Sequence, residues 1–290
     1  MSEIYESQTQ AVIQVPTAAV VASATIYQKV WYDERPPIID YGTSAGFTQD
    51  SASPLKNITV NIPGSVKIAP YTLSVVTDVG TYTEDLEPVV PYASVDQLAS
   101  AAGVQHTDPA GNNYRSEADI KQIESLTRAV IESITGRCFG KWYTAYDLDG
   151  TETHVLYSNE PVLSVDLLRT HDDILYGPST LDIDYAVTPS GHGIELFEDV
   201  DIYYGFPDGY TYMLVGTFGY DKVPADINHA AILIGSTYLC SPASYWNRYV
   251  EQTKFGESQT KFHRLAFAGT GNAAADIILQ KYQFHRYFVI

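Results

Sequence analysis

The stretch Thr211-Tyr-Met-Leu-Val-Gly-Thr-Phe-Gly-Tyr-Asp-Lys-Val-Pro-Ala-Asp-Ile-Asn-His-Ala230 runs from a strand through a turn into a helix. Tyr212 to Phe218 is rich in β-branched and aromatic residues, which suit a half-buried strand. Gly219 allows a turn that a larger residue would resist, and Tyr220 follows it. Pro224 fits the first helical position, where its missing N–H leaves nothing unpaired, and Asp226 suits the positive end of the helix dipole. Ile227, Ala230, Ala231, Ile234 and Tyr238 then recur at helical spacing as one apolar stripe. Gly219, Tyr220, Pro224 and Asp226 therefore read as a structural motif, and the unit carries no obvious catalytic group.

Upstream, two further helices announce themselves by their ends. Ser94 with Gln97 has the spacing of a capping box and opens a short helix, 94–102, which Gly103 stops. Ser116 with Asp119 opens a longer one, 117–135, whose Ile120, Ile123, Thr127, Val130, Ile131 and Ile134 form a stripe and which Gly136 ends. Strands with turn punctuation follow around Thr153–Tyr157, Leu163–Arg169, Asp182–Val187, Gly193–Phe197 and Tyr212–Phe218. After the 225–239 helix, a polar loop from about Ser241 to Gly271 leads to a last helix, 273–282, and the aromatic end Phe284-His-Arg-Tyr-Phe-Val-Ile290. Helix, helix, antiparallel strands, helix, helix is an α+β layout. Residues 1–90 carry strand propensity without a clear helix. They read as a small β domain or an extended arm with paired strands.

The composition bounds the chemistry. With 290 residues the chain can form one large domain or two small ones. Its apolar share is that of a globular protein. Cys138 and Cys240 are far apart, which suggests neither a disulfide framework nor a CxxC metal site. The start lacks the basic region and long apolar run of a signal peptide, and no apolar stretch reaches bilayer length, so a soluble protein is expected. Net charge is −18 and uneven. Residues 145–210 hold fourteen acids against the single basic Arg169, whereas 222–290 hold seven bases against four acids. A protein that grips phosphates would need the opposite overall sign. The acids either keep a β-rich surface soluble or line a surface that repels a polyanion.

Motifs for catalysis are weak. Asp147-Leu-Asp-Gly150 with Glu152 lacks the third alternating carboxylate and the distant bidentate Glu of a calcium loop, and reads as a turn. Gly269-Thr-Gly-Asn-Ala-Ala274 matches a phosphate-cradling pattern by letter, but too few residues follow to build a βαβ unit, so it reads as a helix N-terminal loop. His171-Asp-Asp173 would point to alternate faces of a strand. His229 sits on a helix as a packed or surface residue, and Asn57-Ile-Thr59 matches a glycosylation acceptor by chance. No GxSxG, HExxH or P-loop is present. An enzyme is not expected, and neither a cofactor nor a metal is called for.

Residues 91–290 resemble the head–tail connector (adaptor) proteins of tailed bacteriophages. The segments that carry the resemblance are Ser94-Val-Asp-Gln-Leu98, the helix Ala118 to Gly136 with Ile134-Thr-Gly-Arg-Cys-Phe139, Glu160-Pro-Val-Leu-Ser-Val165, Val215 to Ile227, and Asp276-Ile-Ile-Leu-Gln-Lys-Tyr282. The resemblance implies a helical bundle with an inserted antiparallel β element, to which 1–90 would add a β-rich or extended extension. It also implies a structural virion protein at the head–tail junction, assembled in the host cytoplasm without a membrane. Its copies would form a homo-oligomeric ring, usually of twelve, beneath the portal protein and above tail or neck proteins. Double-stranded DNA would pass non-specifically through the channel. On this reading Asp172, Asp173, Glu195 and Asp199 face the channel, while Tyr282, Phe284, Arg286, Tyr287 and Phe288 dock to the portal or neck. The aromatic residues of this end have burial in the protein's own core as their alternative. A different class, a β-rich carbohydrate-binding or tail-fibre module, would also account for the many tyrosines and the N-terminal strands.

Overall fold

The computed structural model describes residues 2–5, 10–16, 19–29, 38–40, 47–49, 55–62, 68–170, 174–176, 185–196, 205–240, 250–254, 259–262 and 269–283. The chain divides into two compact units, Met1–Val90 with Lys141–Asp221, and Pro91–Gly140 with Lys222–Ile290.

In the first unit, residues 1–90 form two facing sheets. Strands β1 (Ser2–Tyr5), β3 (Val21–Lys29), β4 (Ile38–Asp40), β7 (Tyr71–Thr77) and β8 (Gly80–Val89) pair in the order β1-β8-β7-β3-β4. Strands β2 (Gln10–Pro16), β5 (Phe47–Gln49) and β6 (Leu55–Asn61) pair as β2-β6-β5. Period-2 alternation explains the fold: along β2 every second residue is buried, and Ile13 and Val15 meet Ile26, Ile58, Val60, Leu73 and Val75 in one aliphatic core. The chain crosses between sheets after β2, and the β1–β8 pair is parallel while the β3–β7 and β7–β8 pairs are antiparallel. That is the strand order of an immunoglobulin-type sandwich. Here aliphatic packing fills the place of the inter-sheet disulfide, since the two cysteines, Cys138 and Cys240, lie outside it and form no disulfide.

The same unit continues with β9 (Lys141–Asp149), β10 (Val155–Tyr157), β11 (Val162–Arg169), β12 (Ile174–Tyr176), β13 (Tyr185–Val187), β14 (Gly193–Leu196) and β15 (Thr211–Gly219). They make two sheets, β12-β11-β15-β9 and β10-β14-β13. Strand β9 pairs with β15 over nine residues, from Thr211↔Asp149 to Gly219↔Lys141. Leu148, Leu214 and Phe218 pack on Leu156, Ile194 and Leu196 of the smaller sheet. On the opposite face Tyr143, Leu167 and Val215 pack with Ala69, and the Tyr143 N–H donates to the Ile68 carbonyl at 2.7 Å. Strand β15 is therefore covered on both faces, with Leu214 and Val215 both fully buried, rather than half-buried as its composition suggests.

The second unit holds α1 (Val95–Ala102), α2 (Glu117–Thr135), α3 (Ala225–Leu239) and α4 (Ala273–Gln280), with a hairpin of β16 (Val250–Lys254) and β17 (Gln259–Phe262). Both capping boxes form: Ser94 Oγ accepts from the Gln97 N–H at 3.1 Å, and Ser116 Oγ from the Asp119 N–H at 3.1 Å. Gly103 and Gly136 end their helices in the left-handed conformation. Helix α3 is the central one. Its Gly235 leaves room for the fully buried Leu98 of α1, and a Cβ there would stand 2.6 Å from Leu98 Cδ2.

The expected fold class is corrected. The described residues are mostly β, in several separate sheets with four helices, and do not make a helical bundle with an inserted β element. The helical periodicities led the reading because amphipathic stripes are the strongest local signal, whereas the sheets depend on pairing between distant strands. Strand β9 was missed although it pairs along its whole length. The strands expected as an insert instead share a compact unit with residues 1–90. Pro224 is the cap of α3 rather than its first helical residue, its carbonyl already accepting from the Asn228 N–H at 2.9 Å. The β16–β17 hairpin lies where a polar loop was expected, because Val-Glu-Gln-Thr-Lys and Gln-Thr-Lys-Phe lack hydrophobic alternation.

Candidate functional site

A buried polar cluster in the second unit centres on Tyr92, which is 1% exposed. Its N–H donates to Glu124 Oε1 on α2 at 2.8 Å, and its carbonyl accepts from Asn228 Nδ2 on α3 at 2.7 Å. Its hydroxyl donates to Glu132 Oε1 at 2.6 Å and accepts from the Phe139 N–H at 2.7 Å. Phe139 is edge-on to both Tyr92 and Tyr282. One residue thus ties the entry to α1, the length of α2, its exit loop and the start of α3. Glu124, itself 1% exposed, also faces Arg128 one turn on, with Nε at 3.6 Å.

These groups are arranged to hold structure. Burial, with Cys138 and Glu132 nearby, raises the Tyr92 pKa far above its ordinary value. Burial also raises the Cys138 thiol, with Glu132 adding to the shift, so it is a poor nucleophile at neutral pH. Among the described residues no group of three His, Cys, Asp or Glu side chains could hold a metal ion, and no helix is long and apolar enough to cross a membrane. The glycine-rich turn Gly269–Asn272 caps α4. Asn272 Oδ1 accepts from the Ala274 N–H at 3.1 Å, and Asp276 Oδ1 accepts from the Thr270 N–H and hydroxyl at 2.9 and 2.8 Å. The side chains of Asn272 and Asp276 thereby take donors that a phosphate would need, Asn272 the Ala274 and Ala275 amides and Asp276 the Thr270 amide.

The expected site residues fall into three groups. Gly219 closes β15 with φ +96° and donates its N–H to the Pro161 carbonyl at 2.8 Å, and Tyr220 beyond it is half-buried. Asp226 is exposed in the first turn of α3, 3.3 Å from Lys281 Nζ. Of the acids expected to face a channel, Glu195 is exposed on β14, opposite Val155 on one side and Ala186 on the other. Asp172, Asp173 and Asp199 lie outside the described residues, as does His171. Of the docking residues, Tyr282 is half-buried, its ring centroid 5.2 Å from that of Phe139. Phe284, Arg286, Tyr287 and Phe288 lie outside the described residues. Tyr92, Glu124 and Asn228 were not singled out from sequence. The signal available was Glu124 itself, a charged residue on the buried stripe between Ile120 and Thr127.

No family model matches the chain, and no curated protein does. Among solved structures it is similar to a chain in the neck of an empty gene transfer agent (GTA) particle, at 15% identity and a TM-score of 0.38, over 70% of this chain and 95% of that one. A chain of the virion of a native gene transfer agent particle gives 12% identity and a TM-score of 0.35, over 68% and 95%. The twitchin kinase region of C. elegans gives 20% identity and a TM-score of 0.17, over 31% and 14%.

Proposed function

We propose that the protein is a structural part of a virion neck, a connector whose copies form a ring between portal and tail. The observation that carries this reading is the ordered run of capped helix, capped helix, β element, Gly219 turn with Pro224-capped helix, and final capped helix. In that order of segments the sequence of residues 91–290 resembles head–tail connector proteins. The reading is of the same kind as the particle neck named for one of the compared structures. The Tyr92 cluster fits it, because a ring subunit under load gains from helices cross-tied by buried hydrogen bonds rather than from a mobile cleft. The role is non-catalytic and needs no cofactor. The acid-rich 145–210 segment, with Glu195 exposed on β14, keeps DNA phosphates from sticking as they pass. The chain end, with Phe284, Arg286, Tyr287 and Phe288, serves as a docking segment of the neck, since aromatic and Arg side chains are the favoured anchors of interfaces.

The test is electron microscopy of the purified protein mixed with the portal protein of the same virus. Closed rings stacked on the portal are expected. A protein that stays monomeric and apart from the portal, or that binds glycans as a monomer or trimer, contradicts the proposal.

A further inference from the structure

Among the described residues, the sandwich of residues 1–90 is open along one seam. Strand β1 pairs with β8 only from Leu86 to Val89, so Gly80–Asp85 has no strand on that side among the described residues. Across from it, β2 pairs with β6 alone among the described residues and is the outer strand of its sheet. A groove of about 470 Å³ runs between the two free edges, lined by Val12, Ile13 and Gln14 and by Tyr82, Thr83 and Glu84. Val12 on its rim is 50% exposed. On the free side of β8 every second N–H and C=O points outward, which is a template for one more strand.

The seam also carries a discriminating charge. Glu84 is the cross-strand partner of Leu73, and Tyr82 of Val75, both fully buried, so Tyr82 and Glu84 lie on the inward face of the sheet. An inward carboxylate at an open edge blocks indiscriminate pairing, because an added strand would bury it unpaired. A strand that brings a cation to that level meets no such barrier.

We infer that this groove seats the C-terminal segment Gln283–Ile290 of a second copy, added as a strand beside β8. In an extended chain, alternation places Phe284, Arg286 and Phe288 on one side, a cation between two aromatic rings. Arg286 then meets Glu84, while the flanking rings lie against Tyr82 and the free edge of β2. This rests on the proposed ring of like subunits, and it gives the docking segment a seat on the neighbouring copy.

The test uses the full-length protein, isotopically labelled, titrated with a synthetic Gln283–Ile290 peptide. The peptide is expected to move the amide signals of Thr81–Asp85 and Val12–Gln14. Changing Arg286→Glu in the peptide, or Glu84→Arg in the protein, weakens binding about tenfold, and the two changes together restore it. Glu84→Gln, the milder variant, gives a smaller loss and serves if Glu84→Arg does not fold. Amide shifts elsewhere or none, or a charge swap that restores nothing, overturns the inference. If portal-bound rings form although the peptide leaves the groove untouched, this inference falls and the neck reading stands. If the peptide binds the groove but the protein is absent from particle necks, the seat stands and the neck reading falls.

Discussion

The backbone N–H of Tyr92 donates to the carboxylate of Glu124 at 2.8 Å across 32 residues of sequence, with both residues 1% exposed. A buried carboxylate is tolerated only when paired, so this contact fixes where the chain enters α1 relative to α2. Glu124→Ala leaves a buried N–H without an acceptor and is expected to lower stability by about 3 kcal/mol. Glu124→Gln keeps an acceptor and should lose about 1 kcal/mol. Urea denaturation of both variants checks this, and an equal loss in the two contradicts the hydrogen-bond account.

Alkaline pH should destabilise the fold. Burial pushes Tyr71 up to about 12 and raises Tyr92 further. In the unfolded chain both ionise near their ordinary value of about 10, so the folded state holds its protons longer than the unfolded state does. The stabilisation is complete below about pH 10 and is lost as pH rises through the folded values. Denaturation midpoints measured from pH 8 upward should fall beyond pH 10. Tyr92→Phe, which cannot ionise, should be less stable at pH 8 yet show a shallower alkaline decline.

Gly216 lies in β15 opposite the irregular stretch of β11, where a Cβ would collide with the Ser164 carbonyl oxygen. Gly216→Ala forces two paired backbones apart and should lower stability by about 3 kcal/mol. Gly219→Ala meets a different obstacle, its φ of +96°, and should lose about 1–2 kcal/mol. Calorimetric melting measures both losses, and amide spectra separate the two effects, since only Gly216→Ala should disturb the amide signals around Ser164 and Val165 of β11.

The acidic segment gives a prediction about particles. Reversing Asp172, Asp173, Glu195 and Asp199 to Lys should slow DNA ejection if these residues line the channel, because cations would hold passing phosphates. Glu195 is exposed, so its reversal alone should leave thermal stability within about 0.5 kcal/mol. Unchanged ejection kinetics in particles carrying all four changes removes the channel role.

What could be read in advance follows from the range of each interaction. Helix ends are local, so Ser94 with Gln97, and Ser116 with Asp119, were legible as the capping contacts the fold contains. Sheets are not local. Nothing near Lys141–Asp149 states that it pairs with Thr211–Gly219 across more than sixty residues, and the alternation of β2 does not say which sheet will face it. Class was therefore misjudged toward helix. Tyr92 escaped notice for a related reason: its partners Glu124, Glu132, Phe139 and Asn228 come from three separate stretches. Pro224 was misplaced by one residue, since a proline suits both the cap and the first turn.

Cryo-electron microscopy of intact particles, with the neck composition checked by mass spectrometry, tests the central claim most directly. The account predicts a closed ring of this chain between portal and tail, its acid-rich sheets turned toward the DNA path. Particles whose head–tail junction lacks the chain would contradict it.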